Sequence, residues 1–249
     1  MKEYCKIQTV YKRDPETKHK TLLEGDFSIS AFEYLAKNEW VFTEKIDGTN
    51  IRVQFENGSV TFGGRTDNAQ IPAFLIQRLM VLFTADKLNA VFPEGNVCLY
   101  GEGYGAKIQK GGGNYIPDGC DFILFDVLCG DWWLERENVE DIAAKLDIQV
   151  VPIIGTGTLL YAVEQTRSGF KSTVGNCLAE GIVMRPKTEL CDRAGRRVIA
   201  KIKHRDFPKA STKSCATCEH ESHDRCSYCM SCCKQCRNNW EPRKTSCVG

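Results

Sequence analysis

The chain has 249 residues, of which 42% are hydrophobic and 26% are charged, and its formal net charge is +1. This length predicts one sizeable hydrophobic core with room for a small appendage, and the charge neither favours nor excludes a polyanionic partner. No apolar run is long enough to span a bilayer and the first residues do not resemble a signal peptide, so we expect a soluble, cytoplasmic protein without a membrane partner.

Hydrophobic periodicity predicts helices and strands in irregular alternation. Helices are predicted over residues 31–38, 72–83 and 137–146, and in the second of these Phe74, Leu75, Leu79 and Leu82 share one face. Strands are predicted over residues 51–55, 59–62, 97–100, 122–127, 180–185 and 197–203, with Asn57-Gly58 as a hairpin turn between the first two. Because strands often follow strands directly, the pattern indicates an α+β fold with antiparallel sheets.

The cysteines are distributed unevenly along the chain. Six of the 14 are scattered through the first 210 residues, and the other eight are concentrated in the last 35. The composition changes near residues 207–211, which predicts a main domain of residues 1–210 and a Cys-rich tail of residues 211–249. In a non-secreted protein such a cluster favours metal binding over disulfides.

Paired Cys-x-x-Cys spacings predict a zinc site in the tail, because two such pairs can hold a tetrahedral ion and fold a segment too small for a core. The candidate ligands are Cys215, Cys218, Cys226, Cys229, Cys233 and Cys236, with His220 and His223 as extras. The spacing does not fix which four bind, and it allows two ions. A disordered, redox-labile tail or a disulfide cluster is the alternative. Basic residues around the cysteines suit phosphates, and Trp240 suits base stacking.

The segment Glu44-Lys45-Ile46-Asp47-Gly48-Thr49-Asn50 contains a candidate nucleophile, Lys45. A lysine amine reacts only after desolvation or nearby positive charge has lowered its pKa, so we expect cations close to Lys45. Gly48 would let the backbone approach a ligand, and Asp47 would orient a metal or a hydroxyl. A surface lysine in an ordinary turn is the alternative interpretation.

Three later segments contain groups that suit a nucleotide beside such a lysine. In Gly63-Gly64-Arg65-Thr66, Arg65 suits a phosphate, although an exposed arginine in a hairpin turn is the alternative. Glu102 lies between two glycines at the end of a strand, where a carboxylate can hold a ribose hydroxyl or a metal. The basic, glycine-rich residues 107–113 suit phosphate contacts through lysines and backbone amides, or form a solvated loop.

Three charged residues near the end of the main domain complete the set. Glu180 begins a buried strand, where a carboxylate needs a cation or a metal beside it. Lys201 and Lys203 alternate with apolar residues, so both project to one face of a strand, which is either simply exposed or used by a polyphosphate. Together the segments fit attack by Lys45 on the α-phosphorus of a nucleoside triphosphate, with metal ions and lysines offsetting the phosphate charge.

In this order the segments resemble five motifs of the covalent nucleotidyltransferase superfamily, which comprises polynucleotide ligases and capping enzymes. The matching segments are Lys45-Ile46-Asp47-Gly48, Gly101-Glu102-Gly103, residues 122–127, Glu180-Gly181-Ile182-Val183-Met184-Arg185-Pro186 and Lys201-Ile202-Lys203. The chain is most similar to the RNA ligase 2-like family of ATP-dependent ligases from phage and related sources. That similarity rests on Thr49-Asn50, Arg65-Thr66 and Ile108-Gln109-Lys110.

The resemblance implies a nucleotidyltransferase fold, with two antiparallel sheets and flanking helices around an ATP cleft, and it implies ATP and Mg²⁺ or Mn²⁺ as cofactors. It also implies a role for each matched residue. Lys45 would form a lysyl–AMP intermediate, the backbone at Glu44 would read adenine, and Phe125 would stack on it. Glu102 would hold the ribose, and Lys201 and Lys203 would contact the AMP phosphate. Asn50 and Arg65 would act on phosphates and nucleic-acid ends, and Glu180 would bind the divalent metal.

The activity that the resemblance implies is ATP-dependent RNA ligation for RNA repair, in which AMP passes from Lys45 to a 5′-phosphate and a 3′-hydroxyl then displaces it. RNA ends or a nicked duplex would be the substrate, and a phage protein would act in its host's cytoplasm. A DNA nick ligase, a GTP-using capping transferase and a non-catalytic, end-binding zinc module are the alternatives. About 40 residues follow the main domain, too few for the second domain usual in such ligases, which leaves room for a protein partner.

Overall fold

The computed structural model of the protein describes residues 1–207. The six proposed zinc ligands of the tail and the predicted domain boundary at residue 210 lie outside these residues. The α-helices are α1 (Ser30–Tyr34), α2 (Ala73–Leu82), α3 (Ala85–Val91), α4 (Arg136–Leu146) and α5 (Leu159–Ser168). The strands are β1 (Gln8–Thr9), β2 (Tyr11–Arg13), β3 (Leu22–Phe27), β4 (Trp40–Lys45), β5 (Thr49–Glu56), β6 (Ser59–Gly63), β7 (Val97–Gly105), β8 (Cys120–Cys129), β9 (Trp132–Trp133), β10 (Gln149–Val150), β11 (Ile153–Gly157), β12 (Gly181–Pro186) and β13 (Ala200–Lys203).

Two large sheets dominate the described part of the chain, as the α+β prediction requires. The first has the strand order β1-β13-β12-β4-β11, and the second has the order β10-β8-β7-β5-β6 with β9 added against β8. Most neighbouring strands are antiparallel, but β1 with β13 and β10 with β8 are parallel pairs. A third, two-stranded sheet joins β2 to β3. The predicted pair of antiparallel sheets is thus confirmed in outline and corrected at these edges.

Each large sheet has its own hydrophobic core on the side away from the other sheet. Side chains of β5, β7 and β8 pack against α2, α3 and α4, and those of β4, β12 and β13 pack against α1 and α5. Burying each large apolar side chain contributes roughly 1.5–3 kcal/mol. The two cores leave the facing sides of the sheets free for polar residues.

Helix α2 shows where the predicted apolar face needs correction. Leu75, Leu79 and Leu82 are buried, because a spacing of three or four residues keeps them on one side of a helix. Phe74 was predicted to share this face, but it is 38% exposed. It precedes Leu75 by one residue, which turns its side chain by about 100° around the helix axis.

The hairpin between β5 and β6 is confirmed at the predicted residues. Asn57 has φ +51° and Gly58 has φ +72°, the pair of positive angles that a two-residue type I′ turn requires. None of the helices in residues 1–207 is long and apolar enough to cross a membrane.

Candidate active site

A cleft of about 1020 Å³ lies between the facing sides of the two large sheets. Strand alternation selects the side chains that line it, because every second residue of a strand points to the same face. From β4, β12 and β13 come Lys45, Arg185, Lys201 and Lys203, and from β5, β7 and β8 come Asn50, Glu102 and Phe125. Arg65 lines the cleft from the turn after β6.

At the floor of the cleft, Glu180 joins two lysines. Lys45 Nζ lies 2.6 Å from one carboxylate oxygen of Glu180, and Lys203 Nζ lies 2.6 Å from the other. The strand register explains this geometry, because Gly181 pairs with Lys45 of β4 on one side and with Lys203 of β13 on the other. A Cβ atom at Gly181 would lie 2.1 Å from the carbonyl oxygen of Ile202, so only glycine fits between these strands.

The turn after Lys45 packs closely against β7. A Cβ atom at Gly48 would lie 2.3 Å from the carbonyl oxygen of Gly103, so Gly48 allows close packing against the protein's own backbone, and its predicted approach to a ligand stays a prediction. Gln109 donates a hydrogen bond of 2.9 Å to the carbonyl oxygen of Gly48, which ties the loop 107–113 to the turn. The backbone N–H of Asp47 donates to the Tyr115 hydroxyl at 3.4 Å.

The expectation that nearby cations lower the pKa of Lys45 is wrong. Burial pushes the pKa of Lys45 down, but the charges of Glu180, Glu102 and Asp47 outweigh burial, and the pKa is raised. The lowered pKa belongs to Lys201 instead. Burial, followed by the charges of Lys45, Lys203 and Arg65, lowers the pKa of Lys201 to about 8.

The carboxyl of Glu102 is also strongly perturbed. Burial, reinforced by the charges of Glu180 and Asp47, raises the pKa of Glu102 to about 7 although Lys45 opposes the shift. Burial and Glu180 likewise raise the pKa of Asp47. An acid with a raised pKa and a base with a lowered pKa in one cleft are typical of a functional site.

A β-bulge directs Phe125 into the cleft. In the β7–β8 ladder Tyr100 pairs with Asp126 and the next residue, Gly101, pairs with Leu124, so Phe125 has no partner. An unpaired bulge residue lets two successive side chains leave the same face of a strand. Phe125 therefore lines the cleft and packs edge-on against Tyr4, with ring centroids 5.1 Å apart.

A family model described as RNA ligase matches residues 38–203, well over half of the chain. The chain belongs to the RNA ligase family. Its structure is similar to solved structures of the RNA ligase of Naegleria gruberi. With pyrophosphate bound, that enzyme matches at 20% identity and a TM-score of 0.55, over 81% of this chain and 57% of the other.

Two variants of the same Naegleria enzyme give comparable matches. One, with AMP and Mn, matches at 20% identity and a TM-score of 0.53, over 82% of this chain and 60% of the other. Another, with ATP and Mn, matches at 22% identity and a TM-score of 0.53, over 69% and 52%. At this identity the likeness establishes the fold, and the chain spans less than two thirds of the matched structures' length. None of the curated proteins matches the chain by sequence.

The side chain of Glu44 has a structural role that was not predicted from the sequence. It points away from the lysines and is 1% exposed. Its carboxylate accepts hydrogen bonds from the Ser172 hydroxyl, and from the Thr173 N–H at 2.8 Å and hydroxyl at 2.7 Å. The carboxylate thus holds the loop that precedes β12. Glu44 is also among the residues that line the cleft, and the predicted contact of its backbone with adenine stays a prediction.

A second cluster of charges at the cleft wall was not predicted from the sequence. Asp126 is fully buried and lies 2.8 Å from Arg185 and 2.5 Å from Arg197. The Tyr4 hydroxyl donates to the same carboxylate at 2.7 Å, and the guanidinium of Arg197 lies 3.8 Å from the ring centre of Trp133. This cluster joins β8 of one sheet to β12 of the other and fixes residues 4–7 along the cleft.

The residues of the cleft fit a nucleotide with a divalent cation. No group of three or more His, Cys, Asp or Glu residues within residues 1–207 would hold a metal by itself. Mg²⁺ usually takes only one or two carboxylates and completes its octahedron with phosphates and water. Glu180 provides a carboxylate, and the buried Oδ1 of Asn50 has no hydrogen-bond partner in the described structure.

Proposed function

We propose that this RNA ligase family member is an ATP-dependent RNA ligase that forms lysyl–AMP on Lys45. The observation that carries the proposal is the position of Lys45 Nζ, which lies at the floor of the cleft and 2.6 Å from Glu180. The cleft volume lies at the upper end of the range for pockets that bind small molecules and cofactors. The ATP, AMP and pyrophosphate in the Naegleria structures support a nucleotide as the ligand.

In the first step the Lys45 amine attacks the α-phosphorus of ATP. A phosphorus–nitrogen bond forms while the bond to the pyrophosphate oxygen breaks, and Lys45 must lose a proton before or during attack. The Glu180 carboxylate is the nearest acceptor for that proton. Lys201, Lys203 and Arg65 offset the negative charge on the phosphates. A divalent cation bound with the triphosphate would supply positive charge that lowers the pKa of Lys45.

In the remaining steps AMP passes to a 5′-phosphate of RNA, and a 3′-hydroxyl displaces it to make the phosphodiester bond. Family membership supports RNA as the substrate. The roles proposed for the other residues follow the resemblance: Glu102 at the ribose, Phe125 at the base, Asn50 and Arg65 at the phosphates and strand ends, and Glu180 at Mg²⁺ or Mn²⁺.

Intact-mass spectrometry of the full chain, incubated with Mg²⁺ and either ATP or GTP, tests the first step. We expect a covalent AMP adduct with ATP, no adduct with GTP, and loss of the adduct in Lys45→Met. Lys145→Met, which replaces an exposed lysine of α4, is the matched control and should keep the adduct. A wild-type protein that takes no AMP would refute the proposal, and a GMP adduct would indicate a capping-type transferase.

Sealing assays with matched RNA and DNA nicks test the later steps. The proposal predicts joining at a nick flanked by RNA, with adenylylated 5′ ends as an intermediate. Faster joining of an all-DNA nick would favour the DNA ligase alternative. Adenylylation without joining would indicate that a partner protein completes the site.

For the tail of residues 211–249 we propose a zinc-binding appendage, on the strength of its Cys-x-x-Cys spacing alone. Elemental analysis of the purified full chain should find one or two zinc ions per molecule. A preparation made under reducing conditions that contains no zinc would refute this part of the proposal.

A further inference from the structure

The face of β5 that carries Asn50 in the cleft continues to Arg52, which is fully buried. The guanidinium of Arg52 has three partners. Its Nε donates to the carbonyl oxygen of Gly64 at 2.7 Å, one terminal nitrogen donates to the carbonyl oxygen of Met1 at 3.0 Å, and the other pairs with Asp67 at 2.8 Å. A buried arginine therefore holds two separate loops at once.

Both loops continue directly into the wall of the cleft. Gly64 precedes Arg65, and Asp67 follows it by two residues, so two of the three partners of Arg52 bracket the arginine that lines the cleft. The third partner, Met1, begins the segment whose residues 4–7 line another part of the wall. Arg65 itself is exposed, so its direction depends on the backbone that Arg52 holds.

The charge of Arg52 makes these contacts hard to replace. Two of the three partners are uncharged carbonyl groups, and Asp67 is the one counter-charge that the structure records within residues 1–207. The Asp67 side chain is 71% exposed while that of Arg52 is 0% exposed. A buried guanidinium needs all its donors paired, and its planar fork meets three oxygens in directions that the single nitrogen of lysine cannot.

We infer that Arg52 is a positioning residue for lysyl–AMP formation, which acts by fixing the turn of residues 63–67 so that Arg65 faces the phosphates in the cleft. This inference rests on the proposed function. It assigns Arg52 no contact with ATP, since the side chain has no exposed surface. The part of the Arg52 effect that passes through the turn should therefore vanish when Arg65 is absent, and the contact with Met1 accounts for the small effect that remains.

A double-mutant cycle on the full chain tests this dependence. Single-turnover adenylylation rate constants are measured for wild type, Arg52→Lys, Arg65→Ala and the double variant. We expect Arg65→Ala to slow the reaction about 100-fold, as expected for loss of a charged contact in the transition state. Arg52→Lys should slow it about 10-fold in the wild-type background and less than about 2-fold beside Arg65→Ala. An equal loss in both backgrounds would overturn the inference.

A second variant removes the risk that Arg52→Lys fails to fold. Asp67→Asn changes an exposed side chain, and we expect a reduction of about 3-fold in the rate constant that also disappears beside Arg65→Ala. Glu94→Gln makes the same carboxylate-to-amide change at an exposed position before β7 and should have no effect. A purely structural defect would lower the fraction of protein that reacts and leave the rate constant unchanged, and that result would also overturn the inference.

Calorimetric binding of Mg·ATP separates this inference from the proposed function. If wild-type protein makes no lysyl–AMP, the proposed function fails, and the same cycle is run on the dissociation constants for Mg·ATP. Weaker binding in Arg52→Lys that vanishes beside Arg65→Ala supports the positioning role without catalysis. Equal weakening in both backgrounds, or none, overturns it.

Discussion

Two clusters, each with one carboxylate paired with two cations, lie beside the cleft, and they differ in how fully their charged groups are buried. Asp126 has no exposed surface and is paired with Arg185 and Arg197 in a network that joins the two sheets. Glu180 is also paired with two cations, and both of them, Lys45 and Lys203, are partly exposed, at 19% and 16%. In the first cluster Arg197 is only 5% exposed, and Arg185, at 21%, is the one cation that reaches the cleft. The Asp126 cluster is thus enclosed except at Arg185 and is called the closed cluster below, and the Glu180 cluster, which presents both lysines to a ligand, is called the open cluster.

Burial and charge shift pKa values in both clusters, but beside the open cluster two of the shifted values lie near neutral pH. The pKa of Glu102 is raised to about 7 and that of Lys201 is lowered to about 8, because each is buried beside charges of its own sign. A bound triphosphate would bring negative charge close to Lys201, Lys45 and Lys203. Similar ion pairs therefore serve different purposes here: the Asp126 cluster joins the two sheets, and the Glu180 cluster presents two lysines to the cleft.

The largest expected effect is on chemistry in the open cluster. Lys45→Met removes the nucleophile and should slow adenylylation at least about 1000-fold, since no other group can form the same bond in that position. The melting temperature should change little. Rate measurement and thermal unfolding on the same samples check both parts, and a variant that reacts at a tenth of the wild-type rate would remove Lys45 from its proposed role.

The closed cluster should instead respond in stability. Asp126→Asn removes the nearest counter-charge of the buried Arg197 and of the partly exposed Arg185, and leaves them only Glu189, at 3.9 and 3.4 Å. It should lower the free energy of unfolding by about 3 kcal/mol. The matched change Glu180→Gln should cost less than half as much, because Lys45 and Lys203 still reach solvent. Urea denaturation measures both values. Equal losses would mean that the two clusters do not differ in the way proposed.

The raised pKa of Glu102 predicts how stability depends on pH. The folded protein binds the proton more tightly than the unfolded chain, so the free energy of unfolding falls as pH rises from about 4.5 to about 7. At 1.36 kcal/mol per pKa unit, the contribution reaches at most about 3 kcal/mol. Glu102→Gln should remove this fall, which denaturation at several pH values detects. If the free energies of unfolding of wild type and Glu102→Gln differ by the same amount at every pH in this range, the assignment is contradicted.

The smallest effect is expected at the exposed rim of the cleft. Lys187 pairs with Glu39 at 2.9 Å, but both side chains are about half exposed or more. Lys187→Met should change the free energy of unfolding by less than about 1 kcal/mol, because solvent and salt screen such pairs. A loss as large as that of Asp126→Asn would show that exposure does not separate these clusters.

Local periodicity was sufficient to predict several elements but not the helices that begin at caps. The predictions for α2 and α4 and for the hairpin at Asn57-Gly58 hold to within a residue, because their apolar or turn residues follow a simple local rule. Helices α3 and α5 were missed. Each begins at a threonine, Thr84 or Thr158, whose hydroxyl accepts an N–H of the first turn, and these caps were the available signal.

The membership of the site was more predictable than its electrostatics. The lysines of β4 and β13 face the cleft because strand alternation requires it, and Glu102 and Phe125 were predicted from the order of the family motifs. The raised pKa of Lys45 depends on the approach of Glu180, which is 135 residues away in sequence. The Asp126 cluster and the anchoring role of Arg52 likewise depend on contacts between distant segments, which no local pattern specifies.

Peptide mapping of the adenylylated protein identifies the lysine that takes AMP. The pKa of Lys201 is lowered and that of Lys45 is raised, so basicity alone would favour Lys201 as the nucleophile. The position of Lys45 beside Glu180 favours Lys45. After incubation of the full chain with ATP and Mg²⁺, we predict AMP on Lys45, with Lys201 and Lys203 unmodified. AMP on Lys201 in the wild-type protein would contradict the mechanism.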